Sequence, residues 1–220
     1  MKELSKKRKK EIAKSVIEIL EGIYPDAECA LKWGHGNENG WKLMVMGRLS
    51  AQCTDIRVNI VCEELFSKYP TVLDLASAPI EEIENIIRPC GLFHTKAADI
   101  KSECETLVNF YGGIVPDSME KLLEFRGVGR KIANLLLGDL YGMGGIVADT
   151  HCIRICGRLG FYPETLKDPV KVERIMEEFV PKEEQSDFCH RIVQFGRDVC
   201  SARSPKCSEC PMREFCPHNK

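Results

Sequence analysis

The sequence predicts an all-α protein. Apolar residues recur at spacings of three and four in one segment after another, as on the buried face of a helix. No stretch alternates with the two-residue period of a strand. Gly, Pro and small hydroxyl or acidic residues fall between the segments, where helices start and stop.

From about Ser5 to Glu21, Ile12, Val16, Ile19 and Leu20 share one face, and Gly22 is expected to stop the helix. Gly34 to Gly40 is a loop by composition and the expected first crossing between domains. Trp41 to Ala51 is apolar all round except at Lys42 and Arg48, as a buried helix would be, with Gln52 at its end. Thr54 caps the next helix, through Val58, Val61, Leu65 and Phe66. A short helix is expected over Thr71 to Ala76, and another begins with Pro79 at its first position, Glu81 and Glu82 behind it, and ends before Pro89. The loop Cys90 to His94 carries Leu92 at its tip. Thr95 is then expected to cap a helix with Ile100, Leu107 and Phe110 on its apolar side, closed by Gly112 and Gly113. Ser118 to Glu124 and Arg130 to Tyr141 read as helices flanking a glycine turn. Three more follow, from Asp149 to about Leu159, from Asp168 to Phe179 and from about Glu183 to Val199. There is no internal repeat.

With 220 residues, 44% of them hydrophobic, the chain can bury one ordinary core or two small ones. Its first residues are charged and no long apolar run follows, which argues against a signal peptide or membrane span and for a cytoplasmic protein. There the 12 cysteines are expected as thiols or metal ligands, not as a disulfide framework. The net charge of -2 does not advertise a polyanion partner. Charge is uneven, however. Lys2, Lys6, Lys7, Arg8, Lys9 and Lys10 face only Glu3 at the start, which reads as a solvated helix end. Between Lys121 and Gly160, the cations Lys121, Arg126, Arg130, Lys131, Arg154 and Arg158 outnumber Glu124, Asp139 and Asp149. One basic face that grips a nucleic-acid backbone is consistent with this pattern.

The glycine turn is Gly127-Val128-Gly129, followed by Arg130 and Lys131. Two glycines let the backbone turn tightly and aim N–H groups outward, with the positive end of the following helix behind them. Such a surface binds phosphate without reading bases. Lys131 lies on the first turn of that helix. As a nucleophile it must lose a proton, which calls for burial, for neighbouring cations such as Arg130, and for a carboxylate to orient the amine. Asp149, at the head of the helical pattern Thr150 to Cys156, is the candidate carboxylate, kept ionised by the helix dipole. Taken singly, the turn is only a turn, Lys131 a phosphate contact and Asp149 a helix N-cap.

Together these motifs resemble the helix-hairpin-helix DNA glycosylases of the endonuclease III family. The matching residues are Gly127-Val128-Gly129-Arg130-Lys131, Val147-Ala148-Asp149-Thr150-His151, Leu49-Ser50-Ala51-Gln52-Cys53-Thr54-Asp55, and Cys200, Cys207, Cys210 and Cys216. The resemblance spans nearly the whole chain. It implies a six-helix barrel over 33–143, with 1–32 and 144–220 forming a second, discontinuous domain. Lys131 and Asp149 would face each other across the groove between them. It implies an oxidised pyrimidine in double-stranded DNA as substrate, a monomer, and a Lys131 Schiff base that permits β-elimination and a nick 3' to the abasic site. Gln52 would fill the gap left by the extruded nucleotide, Leu92 would wedge between bases, Gly127 to Arg130 would hold phosphate, and His151 would lie near the pocket. The chain departs from the family at Arg48 (usually leucine), at the glycine-rich loop (usually an apolar entry with proline), at Phe125-Arg126 (usually Leu-Pro) and at Ile132 (usually a small hydroxyl residue).

Cys200-x6-Cys207-x2-Cys210-x5-Cys216 puts four thiols within seventeen residues. Tetrahedral zinc and a [4Fe-4S] cluster both accept such a set. The resemblance implies the cluster, in a structural role, on a loop whose Arg203, Lys206 and Arg213 can meet DNA. The other eight cysteines read as small buried residues. Two further readings stay open: a monofunctional glycosylase of the same fold, which the lysine at 131 argues against, and a non-catalytic DNA-binding module, which predicts affinity without base release.

Overall fold

The computed structural model describes residues 4–219, with no side-chain detail at 219. Lys2 and Glu3 of the basic N-terminal run lie outside the described residues. Among those described, every regular element is helical. Two units have hydrophobic cores of their own, Met1–Glu28 with Gly142–Lys220, and Cys29–Tyr141.

Helix α1 (Lys6–Ile23) starts where the Ser5 hydroxyl accepts from the Arg8 N–H, and it buries Ile12, Ala13, Val16 and Leu20. It runs on through Gly22, because the Tyr24 N–H still finds the Leu20 carbonyl one turn back. Helix α2 (Gly40–Leu49) is buried apart from half-buried Lys42 and Arg48, as its composition predicts. Helix α3 (Asp55–Lys68) is capped by Thr54, and α4 (Val72–Ser77) by a reciprocal Thr71–Asp74 capping box. Pro79 caps α5 (Ile80–Ile87) from outside and is not its first residue. A 3-10 turn over Arg88–Cys90 follows.

Helix α6 (Phe93–Tyr111) begins two residues before Thr95. The left-handed backbone at Gly91 and Leu92 turns the chain early, and the Lys96 N–H bonds back to the Leu92 carbonyl, so Thr95 lies inside the first turn. Phe110 is 79% exposed, contrary to its expected place on the apolar side. The buried stripe follows Ala97, Ile100, Cys104 and Leu107, and Phe110 points past its edge. Gly112, left-handed, stops the helix, and the Gly113 N–H reaches the Leu107 carbonyl.

Helix α7 is a single turn, Met119–Leu122, while α8 (Arg130–Tyr141) matches its predicted bounds. In the other unit, Asp149 caps α9 (Thr150–Arg158), Asp168 caps α10 (Pro169–Glu177) with Pro169 at its first position, and α11 (Gln185–Asp198) follows a 3-10 turn. Phe161, Phe188, Ile192 and Phe195 share that core with the buried face of α1. No helix among the described residues is long and apolar enough to cross a membrane.

Candidate functional site

Within Cys29–Tyr141 the glycine turn is anchored from below and open above. Phe125 and Val128 are buried, and the Val128 N–H closes the turn on the Phe125 carbonyl, so that donor faces inward. The two glycines differ. Gly127 has φ +85, and a Cβ there would meet Arg48 Nε at 2.8 Å and Asp99 Oδ2 at 3.0 Å, so both backbone and space require glycine. Gly129 has no positive φ, and a Cβ on it would meet nothing within 4 Å. Nothing inside the chain requires glycine at 129. The surface there is left bare for close approach from outside, beside the first N–H groups of α8, which have no partner within the helix.

Beneath the turn lies a charge network that the sequence reading missed. Asp99, 5% exposed, accepts from Arg48 Nε at 2.8 Å and Nη2 at 2.7 Å through one oxygen, and from Arg126 Nε at 2.6 Å through the other. The two arginines that depart from the family pattern are thus joined by one carboxylate. The Arg126 side chain is 59% exposed, so its guanidinium also reaches solvent beside the turn. Deeper still, both carboxylate oxygens of Glu103 are buried without a hydrogen-bond partner. Burial pushes its carboxyl well above the usual carboxylate range; Arg48 draws it back only partly and Asp99 adds to the push. The available signal was that Lys96, Asp99 and Glu103 share the α6 face that buries Ala97, Ile100 and Cys104.

Lys131 is exposed, so the chain itself does not supply the burial expected of a nucleophilic lysine. Ile132, the other departure, is half-buried and lies 3.2 Å from where a Cβ on Gly47 would stand, which lets α8 and α2 approach closely. Gln52 and Leu92 are both exposed, and they are the only non-glycine residues with positive φ among the described residues, +56 and +49. Leu92 is 58% exposed and does not pack beneath its loop. Gln52 stands in a turn beyond α2, three residues past its last residue.

In the other unit Asp149 is held as a helix cap and addressed on both oxygens. Oδ1 accepts from the backbone N–H of His151 at 2.9 Å and of Cys152 at 2.7 Å, while Oδ2 lies 3.1 Å from His151 Nδ1. These donors and the N-terminus of α9 favour the ionised carboxylate. The half-buried His151 ring fits because α11 has a glycine beside it: a Cβ on Gly196 would stand 2.5 Å from His151 Cδ2.

One and two turns along the same helix, Arg154 and Arg158 grip the cysteine loop. Arg154 donates to the Cys200 carbonyl from Nε at 3.2 Å and Nη2 at 3.0 Å. Arg158, buried, donates to the Cys200 sulfur at 3.3 Å and to the carbonyls of Ser201 and Ala202 at 2.8 and 3.0 Å. Burial raises the Cys210 and Cys216 thiols, and the nearby Cys200 and Cys207 raise both further. Four thiols within one short loop, with a guanidinium on one of them, fit an anionic iron–sulfur cluster. Arg203, Lys206 and Arg213 are all exposed around it. Of the other cysteines, six are buried and Cys29 and Cys53 are half-buried.

Comparison with known proteins agrees with these features. A model of the HhH-GPD superfamily of base excision DNA repair proteins matches residues 45–182, and one of the iron-sulfur binding domain of endonuclease III matches residues 200–216. The chain is 40% identical to the endonuclease III of Synechocystis over 95% of its own length and 93% of that protein. It is likewise 40% identical to that of Bacillus subtilis, over 91% and 89%. Among solved structures it resembles a trapped endonuclease III–DNA covalent intermediate with a TM-score of 0.87 and 38% identity, covering 96% of each chain.

Proposed function

Since the chain belongs to the HhH-GPD superfamily of base excision DNA repair proteins, we infer that it is a DNA glycosylase with abasic-site lyase activity, acting on oxidised pyrimidines in duplex DNA. The observation that carries the reading is an exposed lysine, Lys131, two residues after a glycine that nothing inside the chain requires. In this reading residues 33–143 hold the hairpin, the gap-filling loops and the nucleophile, while 1–32 and 144–220 hold Asp149 and the cluster.

Gly127, Gly129 and Arg130 hold a backbone phosphate while Val128, its N–H turned inward, only shapes the turn; Arg126 adds charge beside it, and the bend and unstacking of the duplex are offset by such contacts. Gln52 fills the space vacated by the extruded nucleotide and Leu92 wedges between bases. Docked DNA, not the fold, displaces water from Lys131. Its amine attacks C1' of the lesion sugar, forming an N–C1' bond as the bond to the base breaks and the base leaves with a proton. Asp149, fixed by the His151 and Cys152 N–H groups, orients the amine and stabilises the positive charge that develops on the sugar. His151 steadies that carboxylate. The C1' nitrogen adduct opens to a Schiff base; loss of a C2' proton then expels the 3' phosphate, and water releases Lys131.

Cys200, Cys207, Cys210 and Cys216 hold a [4Fe-4S] cluster, which when bound ties the C-terminal loop into a fixed shape and does not enter the reaction. The protein works as a monomer, each unit closing its own core, in the reducing cytoplasm that suits eight free thiols and a thiol-held cluster. Borohydride trapping on a duplex with one abasic site tests the mechanism. A covalent protein–DNA band is expected with the native chain and none with Lys131→Ala. Absence of the band in cluster-loaded, DNA-binding native protein would leave only a monofunctional or binding role.

A further inference from the structure

Lys96 is completely buried, at 0% exposure, on the first turn of α6. Its ammonium donates to two backbone carbonyls, those of Leu49 and Cys90, each at 2.8 Å. Leu49 is the last residue of α2, three before Gln52, and Cys90 ends the 3-10 turn two residues before Leu92. One buried cation therefore ties the roots of two loops. The tips of those loops are the only two non-glycine residues among those described that are held in strained left-handed backbone. Strain of this kind persists only where the surroundings over-determine it. Burial also works against the charged lysine and lowers its pKa. A methionine of similar length would fill the space without that penalty, but it would satisfy neither carbonyl and would leave the loops unlinked. The negative ends of α2 and of the 3-10 turn are well suited to receive the ammonium.

We propose that Lys96 is a positioning residue for lesion extrusion: by holding both loop roots it sets the spacing at which Gln52 and Leu92 enter the duplex together. The proposal rests on the gap-filling and wedge roles assigned above to those two residues. It requires that losing the ammonium harm steps that need extrusion and spare those that do not.

The test uses cluster-loaded full-length protein and two substrates. One is a duplex with a paired oxidised pyrimidine; the other carries an abasic site inside an unpaired bubble, where no unstacking is needed. For Lys96→Met, the single-turnover excision rate on the paired lesion is expected to fall about tenfold or more, as a misplacement of an ångström can do. Borohydride trapping on the bubble should stay within about twofold of native. Leu92→Ala should also slow the paired lesion, and on that substrate the double variant should be no slower than the slower single one. Equal loss on both substrates would make Lys96 a merely structural residue, and no loss on either would make it dispensable; both results overturn the proposal. If Lys96→Met does not fold, Lys96→Gln, whose amide can serve only one carbonyl, must show the same split. The underlying reading is judged separately. If Gln52→Ala and Leu92→Ala leave the paired rate unchanged, the gap-filling assignment falls and takes the proposal with it, whereas slowing in those two but not in Lys96→Met overturns the Lys96 proposal alone.

Discussion

The ground beneath the glycine turn and the ground beneath the cysteine loop are each held by a pair of arginines, but by opposite electrostatic designs. Under the turn, Arg48 and Arg126 close on the single carboxylate of Asp99, so the ion pairs lie within the protein. Under the loop, Arg154 and Arg158 reach carbonyls and the Cys200 sulfur. The first site is complete by itself and offers its phosphate grip through backbone above it. The second is built around an anion that the four thiols and their iron supply. A platform that must receive DNA repeatedly is prepaid in protein contacts, while a loop that keeps its cluster takes part of its fold from that cluster.

Removing the carboxylate of Asp99 should have the largest effect. Asp99→Ala leaves Arg48 and Arg126 without their shared partner, and loss of one side of a buried ion pair costs about 3–5 kcal/mol; chemical denaturation of the cluster-loaded protein should show that loss. An unchanged midpoint would mean that water replaces the carboxylate and that the network is not self-contained. Next comes Arg158→Met. It should leave two carbonyls unpaired for about 1–3 kcal/mol, and it should also speed bleaching of the visible iron–sulfur absorbance in air, which Asp99→Ala should not. If both variants bleach alike, the distinction between the two sites fails.

Glu103→Gln should sharpen the comparison through pH. Because burial raises the Glu103 carboxyl, its contribution to stability is fully present below the unfolded value of about 4.3 and is lost as pH rises through the folded one. The amide has no such dependence. The Tm gain of Glu103→Gln over native should therefore be larger near about pH 8 than near about pH 5, and a gain independent of pH would sink this account. Smallest in stability is Gly129→Ala. With open space around its Cβ and no positive φ, it should unfold within about 1 kcal/mol of native. Its DNA affinity should nonetheless drop, because the methyl stands where phosphate approaches. Undiminished affinity in a titration at fixed salt would show that Gly129 faces no phosphate.

Much of the helical layout was legible in the sequence. The bounds of α8, the caps Thr54 and Asp149, and the two polar exceptions in α2 all follow from local rules, since a cap acts within three residues and a stripe repeats every turn. The misreadings arose where a distant residue decides. Phe110 looked like a core position because periodicity shows which residues share a face, not where the neighbouring element ends. Thr95 looked like a cap because left-handed backbone at Leu92 cannot be read from a leucine. The glycines at 127 and 129 look alike on paper, and only the positive φ of the first and the Arg48 and Asp99 packed under it separate a glycine required by the fold from one that leaves room for a ligand.

By itself the sequence determined the helical class, the hairpin with its lysine, the Asp149 cap and the four-cysteine loop, because each is encoded by residues close along the chain. Tertiary structure alone decided that Arg48 and Arg126 share Asp99, that Glu103 has no partner, and that Lys96 joins Leu49 to Cys90. Those pairings span up to 51 positions in sequence. Which charges meet in a core depends on how helices pack, and no local pattern carries that information.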